Sequence, residues 1–364
     1  MLLCPSEARG EGGCDNCGKI ELDTFFNKSS IRKNVSECPF TIFKEKSMNA
    51  RFDGWPHIVK SQQFSRQWIE EQLFPEAREM REVFYQGGSK VLDGKLMVAL
   101  FYKPSTRTRG SFQMAMSYLG GRVAFASENA AEFSSSEKGE SWPHSVMVWN
   151  CYGPDVIVVR HNEEGAAETA AKISSVPIIN AGDGPGQHPT QALLDIFTIQ
   201  EKLSGIDGLS IIINGDLVNN RAARSLVYLL SKFKGVKIFF VSPSAQRMRS
   251  DVLDHLREKG VAFAESENLQ EVIPLADVVY MLRTQREHGS VVYDLNDTFV
   301  LDQSKARLAK KTAIFMHPLP IDSRVKEIRP EVESDPRSVF LNDQVKGGLF
   351  VRMALLKMIL APGA

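Results

Sequence analysis

Between Lys95 and His317 the chain repeats one pattern: a short apolar run, a polar loop, then a stretch with apolar residues at helical spacing. The runs are KLMVALFY (95–102), RVAFAS (122–127), DVIVVRH (155–161) and VPIINAG (176–182). The series then restarts with LSIIINGD (209–216), VKIFFVS, VAFAES, DVVYML and TAIFMH. Several runs are apolar on both faces, which suits strands of a parallel sheet covered on each side by helices. Helices are expected at about 108–119, 140–151, 164–172 and 189–203, after LSIIINGD in NRAARSLVYLLSKF, and at roughly 343–361. The expected fold is α/β, with two doubly wound parallel-sheet domains. KLSGIDG (202–208) supplies turn residues for the joint between them.

A length of 364 residues suits two such domains. Lys plus Arg equals Asp plus Glu at 44 each, so no global charge draws the chain to nucleic acid or an anionic membrane. No apolar run is long enough to span a bilayer. Four of the five cysteines, Cys4, Cys14, Cys17 and Cys38, lie in the first 38 residues and only Cys151 follows, as expected in a reducing compartment. CDNC (14–17) has the spacing of half a zinc site without a matching second pair. Residues 1–50 are expected to be a disordered tail, and no metal is expected.

In open parallel sheets, ligands sit beyond the carboxyl ends of the strands. The residues there are cations, amides and small hydroxyls. The first run ends in Ser105, Thr106, Arg107, Thr108 and Arg109, directly before a helix; later runs end near Arg160, His188 and Gln191, Arg221, Arg283 and Gln285, and HPLP (317–320). A helix N-terminus offers unpaired N–H groups and a positive dipole end. With three hydroxyls and two guanidiniums added, it makes a phosphate cradle. A single Ser or Thr there would ordinarily be a cap, but five such residues in a row ask for more. There is no G-x-x-x-x-G-K-[ST] loop, no G-x-G-x-x-G after the first strand of either unit, no cluster of His, Asp and Glu at metal-ligand spacing and no nucleophile elbow. Such a site suits a phosphate and a carboxylate, with catalysis by positioning and charge stabilisation.

PSTRTR (104–109), SSSEKGES (134–141), DVIVVRH, VPIINAGDGPGQHPTQALLDIFTI and HPLP, in this order, resemble the aspartate and ornithine carbamoyltransferases over about residues 55–360. HPLP and RTQ (283–285) are similar to the aspartate-using members; the H-C-L-P and S-M-G versions typical of ornithine enzymes are not present. The resemblance implies transfer of the carbamoyl group of carbamoyl phosphate to the α-amine of L-aspartate, giving N-carbamoyl-L-aspartate and phosphate for pyrimidine synthesis, without a cofactor. It implies a carbamoyl-phosphate domain over 51–203, an aspartate domain over 204–342, a cleft between them holding the active site, and a C-terminal helix (343–364) returning to the first domain.

By the same resemblance, Ser105, Thr106, Arg107, Thr108 and Ser134 would bind the phosphate. Thr108, Arg160 and His188 would polarise the carbamoyl carbonyl. Gln191 and the carbonyls of Pro318 and Leu319 would hold the carbamoyl amide, and Arg221, Arg283 and Gln285 would clamp aspartate. Ser134 and Lys138 would come from the neighbouring subunit of a homotrimer, with Lys138 acting in catalysis and aspartate binding. A regulatory chain is a further possible partner, and the cytoplasm is the expected compartment. Taken singly, His188 could cap the following helix, Arg160 could pair with Glu163, and Lys138 could be an ordinary solvated lysine. The sequence departs from the family pattern at Val218 and Asn220 in VNNR, at Gly110 and Gln113, and after HPLP, where Ile321 stands in place of Arg and Arg324 follows late. These departures leave a non-catalytic, carbamoyltransferase-like binding subunit, or a transferase for another amine, as alternatives.

Overall fold

A computed structural model describes residues 57–130, 135–283 and 297–363. Ser134, Gln285 and the tail cysteines lie outside these residues. The first apolar series forms β1 (Leu96–Phe101), β2 (Arg122–Ala126), β3 (Val156–His161) and β4 (Ile178–Asp183), all parallel, in the order β2-β1-β3-β4. The second forms β5 (Ser210–Asn214), β6 (Lys237–Val241), β7 (Ala262–Ser266), β8 (Val278–Met281) and β9 (Ile314–Met316), also all parallel, in the order β7-β6-β5-β8-β9. Burial follows position in the sheet. Central β1, β3 and β5 are buried almost throughout, whereas edge strands β2 and β7 alternate between partly and fully exposed residues. That is why the central runs read as continuously apolar and the edges as mixed.

The helices that matter to the cleft are α1 (Phe74–Tyr85), α2 (Thr106–Tyr118), α3 (Trp142–Cys151), α4 (Ala166–Ile173), α5 (Pro189–Leu203), α6 (Arg221–Leu230), α7 (Ser250–Glu258) and α8 (Asp343–Leu360). Helix α5 starts with Pro189, whose missing N–H is harmless in a first turn, and its residues 189–199 are all buried. Helix α8 follows the second sheet in the chain but packs on α1, α2 and α5, so the chain returns to its first domain. Two glycines allow the close approach to α5. A Cβ on Gly348 would lie 3.0 Å from Leu194 Cδ2, and one on Gly347 would lie 3.2 Å from Thr198 Oγ1. Phe350, Val351, Met353, Leu355 and Leu356 are buried in the same core. Full burial of such side chains contributes roughly 1.5–3 kcal/mol each.

Polar bonds from α6 tie the two sheets together beside the cleft. Ser225 Oγ accepts from the His188 N–H (2.8 Å) and donates to Gln187 Oε1 (2.8 Å). Arg221 Nη1 donates to the Gly184 carbonyl at 2.8 Å. Arg224 and Arg249 both bind Glu164, which follows β3, and both also pair with Asp251. No described helix is long and apolar enough to cross a membrane.

Candidate active site

The first strand delivers its loop straight into α2, which begins at Thr106. Ser105 takes the N-cap position, yet its hydroxyl makes no capping bond. The structure thus separates this loop from an ordinary helix start. Glu128 braces it from behind β2. Its Oε1 accepts from the Ser105 N–H (3.1 Å) and the Thr106 hydroxyl (3.4 Å), and its Oε2 accepts from Arg109 Nη2 (2.6 Å). The two arginines of the loop therefore part company: Arg109 is held by Glu128, and Arg107 faces a cavity of about 960 Å³.

That cavity lies where the carboxyl ends of both sheets meet. It brings together Ser105, Thr106, Arg107, Thr108, Arg160, His188, Gln191, Arg221, Arg283, Pro318 and Leu319, residues separated by more than two hundred positions in the chain. Five arginines and two lysines line it, and no described Asp or Glu does. Concentrating so much positive charge without a carboxylate is costly unless an anion is to enter. The surrounding protein and the Arg283 guanidinium depress the pKa of Arg107, a direct sign of that crowding.

His188 occupies the N-cap of α5, but its side chain does not cap the helix. It is 5 % exposed, and burial, with the charges of Arg221, Arg160 and Arg352, holds its pKa well below the ordinary histidine value. It is therefore a neutral imidazole at neutral pH, able to donate from one ring nitrogen and poorly suited to take up a proton. Arg160 does not pair with Glu163; its Nη1 donates to the Ala181 carbonyl at 3.3 Å. Arg221 reaches the cavity over Gly182, whose φ of +114° and missing side chain leave the guanidinium its space.

The departures from the family pattern fit the local fold. Asn220 is the N-cap of α6, and its Oδ1 accepts from the Ala222 and Ala223 N–H groups at 3.1 and 3.3 Å. It presents Arg221 at the first helical position. Ile321 packs against the core of the second sheet. Arg324 pairs with Asp322 and does not line the cavity.

Lys138 ends the short turn Ser135–Lys138, is exposed, and does not line the cavity of its own chain. Sequence reasoning missed Arg352 and Gln344, and gave His317 no role of its own within HPLP; all three do. Arg352 lies inside α8, where an arginine in the run GGLFVRMALL was the available signal. Its Nη1 donates to Ser111 Oγ (3.0 Å) on α2, its guanidinium lies 5.3 Å from the Phe112 ring centroid, and burial lowers its pKa to about 10. His317 is 1 % exposed and its pKa falls to about 3 through burial and the charges of Arg107 and Arg283. Among the described residues no three His, Cys, Asp or Glu side chains converge as a metal site would need.

Comparison with known proteins gives the same picture. The model of the aspartate/ornithine carbamoyltransferase carbamoyl-P binding domain matches residues 56–201, and that of the Asp/Orn binding domain matches 207–359. The chain belongs to the aspartate/ornithine carbamoyltransferase family. It is 47 % identical over 308 residues to the chloroplastic aspartate carbamoyltransferase of Arabidopsis thaliana, covering 83 % of this chain and 77 % of that one. It is 41 % identical to the aspartate carbamoyltransferase catalytic subunit of Methanopyrus kandleri, over 84 % of this chain and 97 % of that protein. Among solved structures it resembles the aspartate transcarbamoylase of Trypanosoma cruzi in complex with carbamoyl phosphate and aspartate, with a TM-score of 0.79 and 36 % identity, covering 86 % of this chain and 98 % of the other. The same enzyme in complex with N-(phosphonacetyl)-L-aspartic acid gives the same values.

Proposed function

We propose that this chain transfers the carbamoyl group of carbamoyl phosphate to the α-amine of L-aspartate, releasing N-carbamoyl-L-aspartate and phosphate. The observation that carries this is the carboxylate-free cavity, lined by five arginines around the start of α2 and shared between two parallel sheets. Its substrates are together a phosphate dianion and a dicarboxylate, and such a cavity attracts both. The relatives named above and the complexes of the Trypanosoma cruzi enzyme support the same pair of substrates.

The chemistry follows from the residues present. The Ser105–Thr108 loop and Arg107 hold the phosphate at the N-terminus of α2. The aspartate amine attacks the carbamoyl carbon, and the carbonyl oxygen gains charge. Thr108, Arg160 and the neutral imidazole of His188 receive it as preorganised donors. Arg221 and Arg283 hold the aspartate carboxylates. Burial, with the surrounding cations, keeps His188 neutral, which makes it a poor base. Among the described lining residues no carboxylate can take the amine proton. The departing phosphate, a dianion in contact with the amine, accepts it. Two of the departures speak against the non-catalytic reading, because Asn220 caps α6 and Ile321 packs on the core of the second sheet.

Incubation with carbamoyl phosphate and, in turn, aspartate, glutamate and ornithine tests the assignment. Phosphate and ureido product should appear together with aspartate alone. Turnover with ornithine instead, or none with any acceptor, would overturn it.

The exposed position of Lys138, away from its own cavity, supports a homotrimer in which this lysine enters a neighbour's site. Inactive Lys138→Ala and Arg107→Ala variants, dissociated and reassembled together, should regain up to about one third of wild-type activity, because unlike neighbours restore a site in one orientation only. Verified mixed assemblies without activity would place Lys138 in its own subunit's chemistry or outside catalysis.

A further inference from the structure

Four charged side chains close a ring beside the cleft, and the reaction above uses none of them. Glu164 stands in the loop after β3. Its Oε1 accepts from Arg224 Nη1 on α6 (2.9 Å), and its Oε2 accepts from Arg249 Nη1 at the start of α7 (3.2 Å). Asp251, on α7, takes the other side: its Oδ2 pairs with Arg224 Nη2 and its Oδ1 with Arg249 Nε (3.2 Å). Each carboxylate oxygen of the ring thus holds one guanidinium nitrogen. Glu164 comes from the first domain and the other three members from the second.

The first domain fixes Glu164 firmly. The N–H of the next residue, Gly165, donates to Asp183 Oδ2 at 2.9 Å, and Asp183 Oδ1 accepts the Gln187 N–H at 2.7 Å, directly before His188. The Glu164 side chain passes over Gly186, where a Cβ would lie 2.9 Å from its Cγ. Arg224 is buried, whereas the Glu164 and Asp251 side chains are 44 % and 41 % exposed, so dissolved salt reaches the ring.

The ring spans the same gap as the substrates. Arg160 lies four residues before Glu164, at the end of β3, and Arg221 lies three residues before Arg224, on the same face of α6. Arg160 and Arg221 both line the cavity. Two other ties cross here, from Arg221 to the Gly184 carbonyl and from Ser225 to the His188 turn, and their acceptors are uncharged. The ring adds a tie of charge to charge.

We infer that the ring is a clasp, with Glu164 as its positioning residue: it holds Arg221 of the second domain at its working distance from Arg160 of the first, and so sets the affinity for aspartate while leaving that for carbamoyl phosphate unchanged. The phosphate loop, Arg160 and His188 all belong to the first domain and keep their mutual placement without the clasp. Aspartate needs Arg221 set against them. The inference rests on aspartate being the acceptor.

Steady-state kinetics of wild type and Glu164→Gln, at about 0.02 M and about 0.5 M KCl, test it. Glutamine keeps the shape and one acceptor oxygen but removes the charge. Exposed ion pairs are individually weak, so KM for aspartate should rise about three- to tenfold at low salt. KM for carbamoyl phosphate should stay within about twofold. High salt screens the wild-type ring, so the two KM values for aspartate should then converge to within about twofold. Screening of aspartate from the cavity arginines acts on both proteins alike and cancels in the comparison. An equal rise for both substrates, no rise, or a gap that persists at high salt would overturn the inference. Should Glu164→Gln not fold, Arg249→Gln opens the ring at its more exposed guanidinium. A rise of about two- to fivefold with the same convergence is then expected, and an unchanged KM for aspartate at low salt would refute the idea equally. A wild-type protein that turns over ornithine, or no acceptor, would instead refute the proposed reaction, and this inference with it.

Discussion

Gly182→Ala separates two effects of one methyl group. The residue sits at φ +114°, a backbone conformation that L side chains rarely adopt, and strain there costs about 1–3 kcal/mol. The added Cβ would also lie 2.7 Å from Arg221 Nε and 3.0 Å from its Cζ. Ordinary contact begins at 3.4 Å, so the guanidinium must withdraw by about 0.7 Å. Because it is the far end of a flexible side chain, it can do so cheaply, and the steric part becomes a displacement rather than a loss of stability. Displacements near 1 Å of a substrate-positioning group cost on the order of 100-fold. The expected result is a tenfold to hundredfold rise in KM for aspartate, with Tm lower by about 3 °C for a loss of ~2 kcal/mol. Steady-state kinetics in aspartate and thermal unfolding read the two separately. A double-mutant cycle decides the cause: in an Arg221→Ala background, Gly182→Ala should still lower Tm but change KM for aspartate no further. An additive KM effect in that background would show that Gly182 does not act through Arg221.

Two further predictions concern charge. Arg107→Ala should lower kcat/KM for carbamoyl phosphate by roughly a hundred- to a thousandfold without changing Tm by more than about 2 °C; a loss below tenfold removes Arg107 from the phosphate site. Burial lowers His57 to about 4 and His317 to about 3, and His188 is held well below its ordinary value, so these imidazoles take up protons on unfolding that they refuse when folded. Their contribution to stability is complete above pH 6.5, the ordinary histidine value, and is lost as pH falls from there toward about 3. Tm should fall steadily over that window, less steeply in His57→Asn, which keeps an acceptor for the Ile178 N–H; parallel curves would show that His57 does not contribute to the slope.

Much of the fold was legible because the interior of a parallel sheet leaves a strong trace. Runs such as LMVALF and IIIN have no solvent face, so their residues are apolar throughout, and helix α5 occupies the span 189–203 that its apolar spacing marks. The site was legible where residue types are unusual for their place, as with consecutive hydroxyls and guanidiniums at a helix start. It was not legible where a residue's type suits several roles. Arg109 and Arg107 stand two apart in one loop, and only the position of Glu128 assigns one to support and leaves the other for a ligand. Asn220 departs from the family pattern in sequence and is a helix cap in space.

The sequence by itself determined the two parallel sheets, the hydroxyl- and guanidinium-rich helix start and most of the cationic residues, because these depend on local periodicity and on neighbours a few positions away. Tertiary structure alone decided the rest. It set Arg352, from α8, behind the loop that starts α2; it held His188 neutral by burial among three arginines; and it joined Gln191, Tyr280 and Gln344 through Asp195. Those properties are fixed by burial and by groups arriving from elements up to 241 residues apart, and local sequence carries no trace of either.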